Sequence, residues 1–362
     1  MTATDAVPNR PHGARNTLSR ILAELVRLPD WWHSKLPPLL AVAYLGLAGP
    51  PAVPPGRGFV LLLLFLASAI ATAAWGHLLN DVADIEPDRR AGRPTRIGRL
   101  PRSVARLLLA LLLAAAVAPW PFLPASPFAR GAFAFELLLL AIYALPPLRL
   151  KERGAAGLVV DALYGHALPM AIVVGLFAPG AGSAAAATGR WASYGATTVA
   201  MALVLWKLAQ GLCGALASQI ADRRNDRRSG TTTWVATPER PRALVARRIL
   251  LRLLFPAQLA LFVAALAALA PRWPLLPVAY LLFLAARLVR IHGVWKRTTA
   301  FYRRGYPGYA LLNDFHERWL PLFALAGLVA SDRAWLPLAA AHLLLFRSGV
   351  GDLLRALFPR AA

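Results

Sequence analysis

The feature that most constrains this chain is a series of long apolar runs. Residues 58–80 contain no Asp, Glu, Lys or Arg, and similar runs recur along the sequence. Crossing about 30 Å of hydrocarbon takes roughly 20 helical residues. The runs are continuous and rich in Leu and Ala rather than alternating, which argues against a β-barrel. Hydrophobic residues make up 58% of the chain, against about 45–50% in soluble domains. The sequence therefore predicts a polytopic, all-α membrane protein.

The runs predict a transmembrane helical bundle of about nine spans. The approximate bounds are 36–49, 58–80, 103–121, 129–145, 156–178, 193–218, 246–269, 275–293 and 318–332. An apolar stretch at 334–346 is either a tenth span or a tail that re-enters. Residues 19–35 have the spacing of an amphipathic interfacial helix. The remaining divisions are a disordered tail at 1–18, a transmembrane domain at 36–346 and a C-terminal tail at 347–362.

The charge distribution predicts how the bundle is oriented. The formal net charge is +23, from 40 Lys and Arg against 17 Asp and Glu, which in a soluble protein would suggest nucleic-acid binding. Here the basic residues concentrate in the N-terminal segment and in the loops after spans two, four, six and eight, as the positive-inside rule describes. The N-terminus and these loops are therefore expected to be cytoplasmic, with membrane lipids as partners and no nucleic acid. The single cysteine, Cys213, excludes an intrachain disulfide and a Cys-based metal site.

The first of two acidic clusters follows span two. It reads Asn80-Asp81-x-x-Asp84-x-x-x-Asp88, and on a helix these side chains fall within one sector roughly 100° wide. Carboxylates on one face repel each other. A hard cation such as Mg²⁺ removes the repulsion, because it binds oxygen ligands, typically one or two carboxylates plus substrate phosphates. A magnesium site is therefore predicted, with solvated acids that offset nearby arginines as the alternative.

The second acidic cluster follows span six. It reads Gln219-x-x-Asp222-x-x-x-Asp226, with the two carboxylates one helical turn apart. By the loop-charge argument both clusters lie on the same side of the membrane, so they are expected to face one another across a cavity. Their recurrence four spans apart favours metal binding over solvated acids.

These motifs resemble those of the UbiA-type intramembrane prenyltransferase family. Residues 80–88 resemble its NDxxDxxxD signature, and residues 222–226 resemble its DxxxD signature. Residues 143–151 resemble the family segment after span four, where a Tyr and a Lys approach the diphosphate. The resemblance runs in order and spacing from about residue 35 to 330.

The resemblance implies a Mg²⁺-dependent enzyme that ionises a prenyl diphosphate and transfers the prenyl group to an acceptor, expected to be aromatic. Mg²⁺, expected as two ions, would neutralise the departing diphosphate. The implied metal ligands are Asp81, Asp84, Asp88, Asp222 and Asp226. The implied diphosphate-binding residues are Asn80, Arg93, Tyr143, Arg149, Lys151 and Gln219. A central cavity that opens sideways to lipid would admit the prenyl chain and keep its carbocation dry.

Polar residues inside the spans are further candidates, because such groups are costly at membrane depth and usually face a cavity. These residues are Asp161, His166, Lys207 and Gln210. Asp161 is expected to position the acceptor or act as a base, whereas Lys207 is open between a functional role and pairing with another buried group. A polar cluster before the last span, open between a cavity entrance and a plain loop, comprises Asn313, Asp314 and His316.

Three other functions remain open at this point. The first is a terpene cyclase of the same family, which uses no acceptor. The second is transfer of a phosphorylated sugar to a lipid phosphate. The third is a cation-coupled transporter, against which the position of the acidic clusters argues, because transporter sites normally lie near the bilayer midplane.

Overall fold

A computed structural model describes residues 27–49, 53–90, 92, 97–177, 194–229, 233–236, 242–288 and 307–347. Within these ranges the regular secondary structure is helical throughout, which confirms the all-α prediction. Outside the described residues lie the tail at 1–18, the first half of the interfacial helix (19–26 of 19–35), nearly all of the tail at 347–362 and the candidate Arg93.

The described residues form eleven helices, apart from short 3₁₀ turns. In chain order they are α1 (Leu28–Leu47), α2 (Pro55–Ala83), α3 (Ile85–Arg90), α4 (Arg102–Val117), α5 (Pro127–Ala144), α6 (Ala155–Phe177), α7 (Tyr194–Ser229), α8 (Arg242–Leu269), α9 (Leu275–Leu288), α10 (307–331) and α11 (Leu336–Leu345). Three of them contain a π-helical segment: Leu163–Ala167 in α6, Leu250–Leu254 in α8 and Ala310–Trp319 in α10.

Six helices in the described residues are long and apolar enough to cross a membrane. They are Pro55–Ala83, Arg102–Phe122, Pro127–Ala144, Ala155–Phe177, Thr197–Arg224 and Arg242–Leu269, and they coincide with predicted spans two to seven. Predicted spans one, eight and nine fall on α1, α9 and α10, and the stretch at 334–346 falls on the short helix α11. The described part of α9 is shorter than the roughly 20 residues that a span needs, and the first half of α10 is polar. Within the described residues the structure therefore supports six candidate spans, and spans one, eight and nine stay predictions.

Local signals explain where two of these helices begin. Pro127 occupies the first turn of α5, where no backbone N–H is needed, and the side chain of Ser126 caps the helix by accepting a hydrogen bond from the N–H of Ala129 at 3.2 Å. Pro55 begins α2 in the same way. These caps set the depth at which the site residues near the other end of each helix lie.

The apolar side chains divide between an aromatic core and an outward surface. Trp206, Phe262 and Phe315 are almost fully buried where α7, α8 and α10 meet. By contrast, Leu63 and Leu282 remain about two-thirds exposed, like many large apolar residues on the outer helix faces. An outward surface this apolar indicates contact with lipid.

Candidate active site

Two adjoining cavities lie between the helices. The outer cavity, of about 620 Å³, lies where α7 and the α5–α6 connection meet, and its polar residues include Lys151, Gln219, Asp222 and Asp226. The inner cavity, of about 290 Å³, extends between α1, α2, α5 and α6. Residues that line both cavities are Lys35, Tyr143, Asp161 and His166. The outer cavity is thus a polar vestibule to a more enclosed chamber.

The first acidic cluster forms a compact network around Asp84. Its Oδ1 accepts hydrogen bonds from Arg149 Nη2 at 2.7 Å and from Lys151 Nζ at 2.5 Å. Lys151 also donates to Asn80 Oδ1 at 2.8 Å, and Asn80 Nδ2 lies 3.3 Å from Asp84 Oδ2. Four sequence-predicted site residues are therefore in contact, although Asn80 and Lys151 are far apart in the chain. Because Lys151 also lines the outer cavity, the network lies at the wall of that cavity.

The backbone at Arg149 holds this network in place. Arg149 has φ 40° and ψ 57°, the left-handed conformation, which costs a residue with a Cβ about 1–2 kcal/mol. Its guanidinium also donates to the backbone carbonyl of Ala83 at 3.2 Å and to Glu152 at 2.6 Å. These contacts compensate for the strain. Burial lowers the pKa of the neighbouring Lys151, although the charge of Asp84 acts in the opposite direction.

The other carboxylates of the first cluster lie apart from this network. The helical repeat continues past the end of α2, since the N–H of Asp84 bonds to the carbonyl of Asn80 at 3.0 Å and the N–H of Asp88 to that of Asp84 at 2.8 Å. Asp81 nevertheless pairs with Arg27 at 3.6 Å. Like Asp84, neither Asp81 nor Asp88 lines either cavity. The cluster therefore turns one carboxylate, Asp84, toward the cations of the α5–α6 connection.

The second acidic cluster lies directly on the outer cavity. Asp222 and Asp226 both line it, and Asp226 Oδ2 accepts a hydrogen bond from Thr233 at 3.0 Å. Gln219 lines the same wall, and its Oε1 is buried without a hydrogen-bond donor among the described residues. This wall presents three oxygen-bearing side chains to the cavity.

The donor set of the outer cavity is compatible with Mg²⁺ bound together with phosphate. In the described part of the chain, no three His, Cys, Asp or Glu side chains are grouped so as to hold a metal. Mg²⁺ does not need such a cage, because it usually takes one or two carboxylates plus phosphate oxygens and water. Asp222 and Asp226 meet that requirement, whereas Asp84 is engaged by two cations.

Tyr143 and Asp161 mark the junction of the two cavities. The hydroxyl of Tyr164 donates to Asp161 Oδ1 at 2.6 Å, and the rings of Tyr143 and Tyr164 meet edge to face at 5.1 Å. Tyr164 belongs to the π-helical segment of α6. The structure thus places both sequence candidates at the neck of the chamber, with Tyr164 orienting the carboxylate.

A buried network joins Lys207, Gln210, Asn313 and His316, and within it Lys207 lines the inner cavity and Gln210 the outer one. His166 lines both cavities, and its Nδ1 has no hydrogen-bond partner among the described residues. Lys207 Nζ donates to Gln210 Oε1 at 2.6 Å, and Gln210 Nε2 contacts Asn313 Oδ1 at 3.1 Å and His316 Nε2 at 2.8 Å. Lys207 therefore does pair with another buried group. Asn313, Asp314 and His316 are neither a plain loop nor an entrance, because they lie on the π-helical segment of α10 and are almost fully buried. Asp314 is bound by Arg287 at 2.8 Å and by Arg318 at 2.6 Å.

Sequence reasoning missed four charged residues that line the cavities, one of which is Arg27 at the inner cavity. Lys35 lines both cavities from α1, and Glu136 lines the inner cavity from the middle of α5. Glu317 lines the outer cavity, and its two oxygens accept from the Tyr309 hydroxyl at 2.7 and 2.9 Å. A signal for Glu136 was present, since it is an ionisable residue inside an apolar run.

The comparison with protein families identifies the chain. The family model described as the UbiA prenyltransferase family matches residues 36–303. The chain belongs to the UbiA prenyltransferase family. The match confirms the resemblance read from the two acidic motifs, and membership implies prenyltransferase activity in an integral membrane protein.

Solved structures of UbiA homologues share the fold. A UbiA homologue from Archaeoglobus fulgidus bound to DMAPP and Mg²⁺ aligns with a TM-score of 0.53 at 16% identity, over 85% of this chain and 98% of the homologue. A UbiA homologue from the same organism bound to GPP and Mg²⁺ aligns with a TM-score of 0.51 at 14% identity, over 87% and 99%. No curated protein sequence matches significantly.

Proposed function

We propose that this protein is a Mg²⁺-dependent prenyltransferase that ionises a prenyl diphosphate in the outer cavity and passes the prenyl group to an acceptor. The observation that carries the proposal is the convergence of Lys151 with Asp222 and Asp226 on one cavity. Lys151 is bonded in turn to Asn80 and Asp84. The second signature of the UbiA family lines this space directly, and the first is connected to it through Lys151, which supports a diphosphate site there.

The two acidic clusters are proposed to hold two Mg²⁺ ions together with the substrate. Asp84 and Asp88 serve on one side, and Asp222 and Asp226 on the other, with Asp81 as an outer ligand. The bound metal supplies neutralisation of the charge that develops on the departing diphosphate. The A. fulgidus homologues, bound to Mg²⁺ with DMAPP or GPP, support this assignment.

The cations around Asp84 are proposed to change partners when substrate binds. Arg149 and Lys151 neutralise Asp84 at 2.7 and 2.5 Å. A diphosphate carries more negative charge than a carboxylate and can accept hydrogen bonds from both cations. Arg149 can bind it as a bidentate fork, and Lys151 can bind it as a point charge. Their transfer to the diphosphate would free the Asp84 carboxylate for the metal. Arg93, Tyr143 and Gln219 are proposed as further contacts to the diphosphate.

The inner cavity is proposed to shelter the reactive carbocation. Its enclosure between spans keeps water away, and Asp161 at its neck is placed to position an acceptor or take a proton. An opening toward lipid is proposed as the route for the prenyl chain. Because basic loops are retained on the cytoplasmic side, this mouth and the N-terminus are proposed to lie on the cytoplasmic side of the cell membrane.

The test is pyrophosphate release by detergent-purified protein. Dimethylallyl, geranyl, farnesyl and geranylgeranyl diphosphates are supplied with and without Mg²⁺ and with and without phenolic acceptors, and the lipid products are analysed. We expect release that needs Mg²⁺ and an acceptor. The variants Asp84→Ala and Asp222→Ala should abolish turnover, whereas Asp332→Asn, at an exposed helix cap outside both cavities, should not.

Each other result identifies a different function. Cyclised hydrocarbon formed without an acceptor would replace the transferase with a cyclase. No release with any chain length would refute the proposal and favour transfer of a sugar phosphate or transport. Full activity in either alanine variant would refute the two-cluster metal site alone.

A further inference from the structure

A buried carboxylate lies deep in the inner cavity. Glu136 is near the middle of α5, and the span from Glu136 to Ala144 at the helix end places it about 12 Å further into the bundle. Its side chain lines the inner cavity and is 8% exposed. A carboxyl group at this depth is costly, so it is expected to serve a function.

Glu136 has no partner within the described parts of the chain. It forms neither a hydrogen bond nor an ion pair within 4 Å there, although the charge of Lys35, which lines the same cavity, acts on it at longer range. The other polar groups of the deep end satisfy one another. Ser68 donates to the carbonyl of Ala116 at 2.7 Å and accepts from Trp120 Nε1 at 3.0 Å, while Thr72 donates to the carbonyl of Ser68 at 2.8 Å. The Glu136 carboxyl therefore remains available to whatever fills the cavity.

The walls around Glu136 suit a flat ring. Trp120 and Phe133 stack at 4.2 Å with an interplanar angle of 19°, and both line the cavity. At the end of the cavity that adjoins the outer cavity, the rings of Tyr143 and Tyr164 contact each other edge to face. Aromatic walls pack well against an aromatic ligand, but they offer nothing to a carboxyl group. A purely hydrocarbon occupant would leave Glu136 without a donor.

We infer that the inner cavity is the acceptor subsite and that Glu136 binds a hydroxyl of a phenolic acceptor. The inference rests on the proposed function, because it assigns the cavity to the acceptor of that reaction. Glu136 is thereby a specificity-determining residue: it selects an aromatic ring that carries a hydrogen-bond donor at the end that enters first.

The spacing along α5 agrees with this assignment. Tyr143, at the junction with the outer cavity, lies two helical turns from Glu136, a rise of about 10.5 Å. A phenol hydrogen-bonded to the carboxylate reaches about 7 Å from the carboxylate oxygen to its para carbon, given a hydrogen bond of about 2.7 Å. A phenol held by Glu136 therefore reaches most of the way along α5 toward the junction with the outer cavity.

The group transfer that this arrangement implies is balanced. The bond between prenyl C1 and the diphosphate oxygen breaks, and its electron pair leaves with the diphosphate. A ring carbon of the acceptor then bonds to C1. That carbon loses its proton to the released diphosphate, which restores the aromatic ring, while Glu136 holds the hydroxyl throughout.

The experiment labels Glu136 in the full-length, detergent-purified protein. The hydrophobic reagent N,N′-dicyclohexylcarbodiimide reacts with carboxyl groups in apolar cavities, and peptide mass spectrometry locates the adduct. We expect labelling of Glu136 but not of Glu86 or Glu152, which are exposed. The competing probes are 4-butylphenol and its methyl ether 4-butylanisole, which share a ring but differ in the donor. Phenol should protect Glu136 at a concentration roughly 10- to 100-fold lower than the ether.

Each outcome decides between the two claims. Equal protection by phenol and ether, or no labelling of Glu136, would overturn the acceptor subsite even if the protein releases pyrophosphate. Selective protection by phenol without any Mg²⁺-dependent release would overturn the proposed function and with it the role of the phenol as acceptor. In an active enzyme, Glu136→Gln should raise the KM for the phenol at least about 10-fold and leave the KM for the prenyl diphosphate unchanged.

Discussion

The network around Asp84 predicts how the substitution Asp84→Asn changes the stability of the protein. The sign of that change distinguishes two interpretations of the first acidic cluster. If the cluster is a set of carboxylates that repel each other in the absence of metal, Asp84→Asn should stabilise the metal-free protein. The structure instead shows Asp84 neutralised by Arg149 and Lys151. Removal of its charge leaves Lys151 with Asn80 alone, so the variant should be less stable.

The contacts allow the size of the effect to be worked out. A hydrogen bond to a charged group contributes about 1.5–3 kcal/mol. The side chains of Lys151 and Asp84 are 13% and 23% exposed, so solvent screening favours the lower part of that range. Asp84→Asn, which keeps one carbonyl acceptor, should cost about 2 kcal/mol, and Lys151→Met about 1 kcal/mol. Because both changes remove the same contact, the double variant should cost about 2 rather than 3 kcal/mol.

The assay is unfolding of the four proteins in detergent with added denaturant and no Mg²⁺, followed by tryptophan fluorescence. The matched control is Glu86→Gln, which removes a nearby but exposed carboxylate paired with Arg89 and should not couple to Lys151→Met. A coupling energy below about 0.5 kcal/mol between the Asp84 and Lys151 variants would refute the ion-paired network. A rise in stability in Asp84→Asn would show that carboxylate repulsion dominates.

Three further predictions concern the second cluster, the titration of Lys151 and the packing of α1. Asp222→Asn and Asp226→Asn should each lower Mg²⁺-dependent pyrophosphate release by roughly 100-fold at unchanged unfolding temperature, with partial recovery in excess Mg²⁺; unaltered release would contradict a metal-binding role. Burial depresses the pKa of Lys151, so the folded state releases this proton more readily and wild type should gain stability as pH rises toward the ordinary value of 10.5. The variant Lys151→Arg cannot release the proton and therefore lacks this gain. The stability of wild type minus that of the variant should grow between pH 7 and pH 10 in unfolding measurements, and a constant difference would refute the argument. Gly46→Ala places a methyl group against a backbone carbonyl of α6 and should cost about 1–3 kcal/mol, whereas Gly131→Ala in open space should not destabilise; equal unfolding temperatures would contradict the close approach.

The helices and the family were accessible from the sequence because both depend on local patterns. An apolar run must be buried in lipid or protein wherever it occurs, so spans two to seven could be placed from the sequence alone. The spacing of the motifs at 80–88 and 222–226 was likewise sufficient to indicate the family. Composition did not reveal that the polar first half of α10 is helical and buried.

The sequence also identified most residues of the candidate site but not their relations. It selected Asn80, Asp84, Arg149 and Lys151 as separate metal or diphosphate contacts, whereas the structure joins them into one ion-paired network. It overlooked Glu136, although the criterion that selected Asp161 applies to it equally.

What the sequence determined by itself is the membrane class, the all-α fold, the family and the presence of two carboxylate clusters, because each follows from residue type and spacing along one helix. Only the tertiary structure decided that Asp84 is neutralised while Asp222 and Asp226 face a cavity, and that Glu136 lies in a second chamber with no hydrogen bond or ion pair to the described part of the chain. The physical reason is that charge interactions depend on separations of a few ångströms between atoms of different helices. Packing sets these separations, and no pattern along a single helix encodes them.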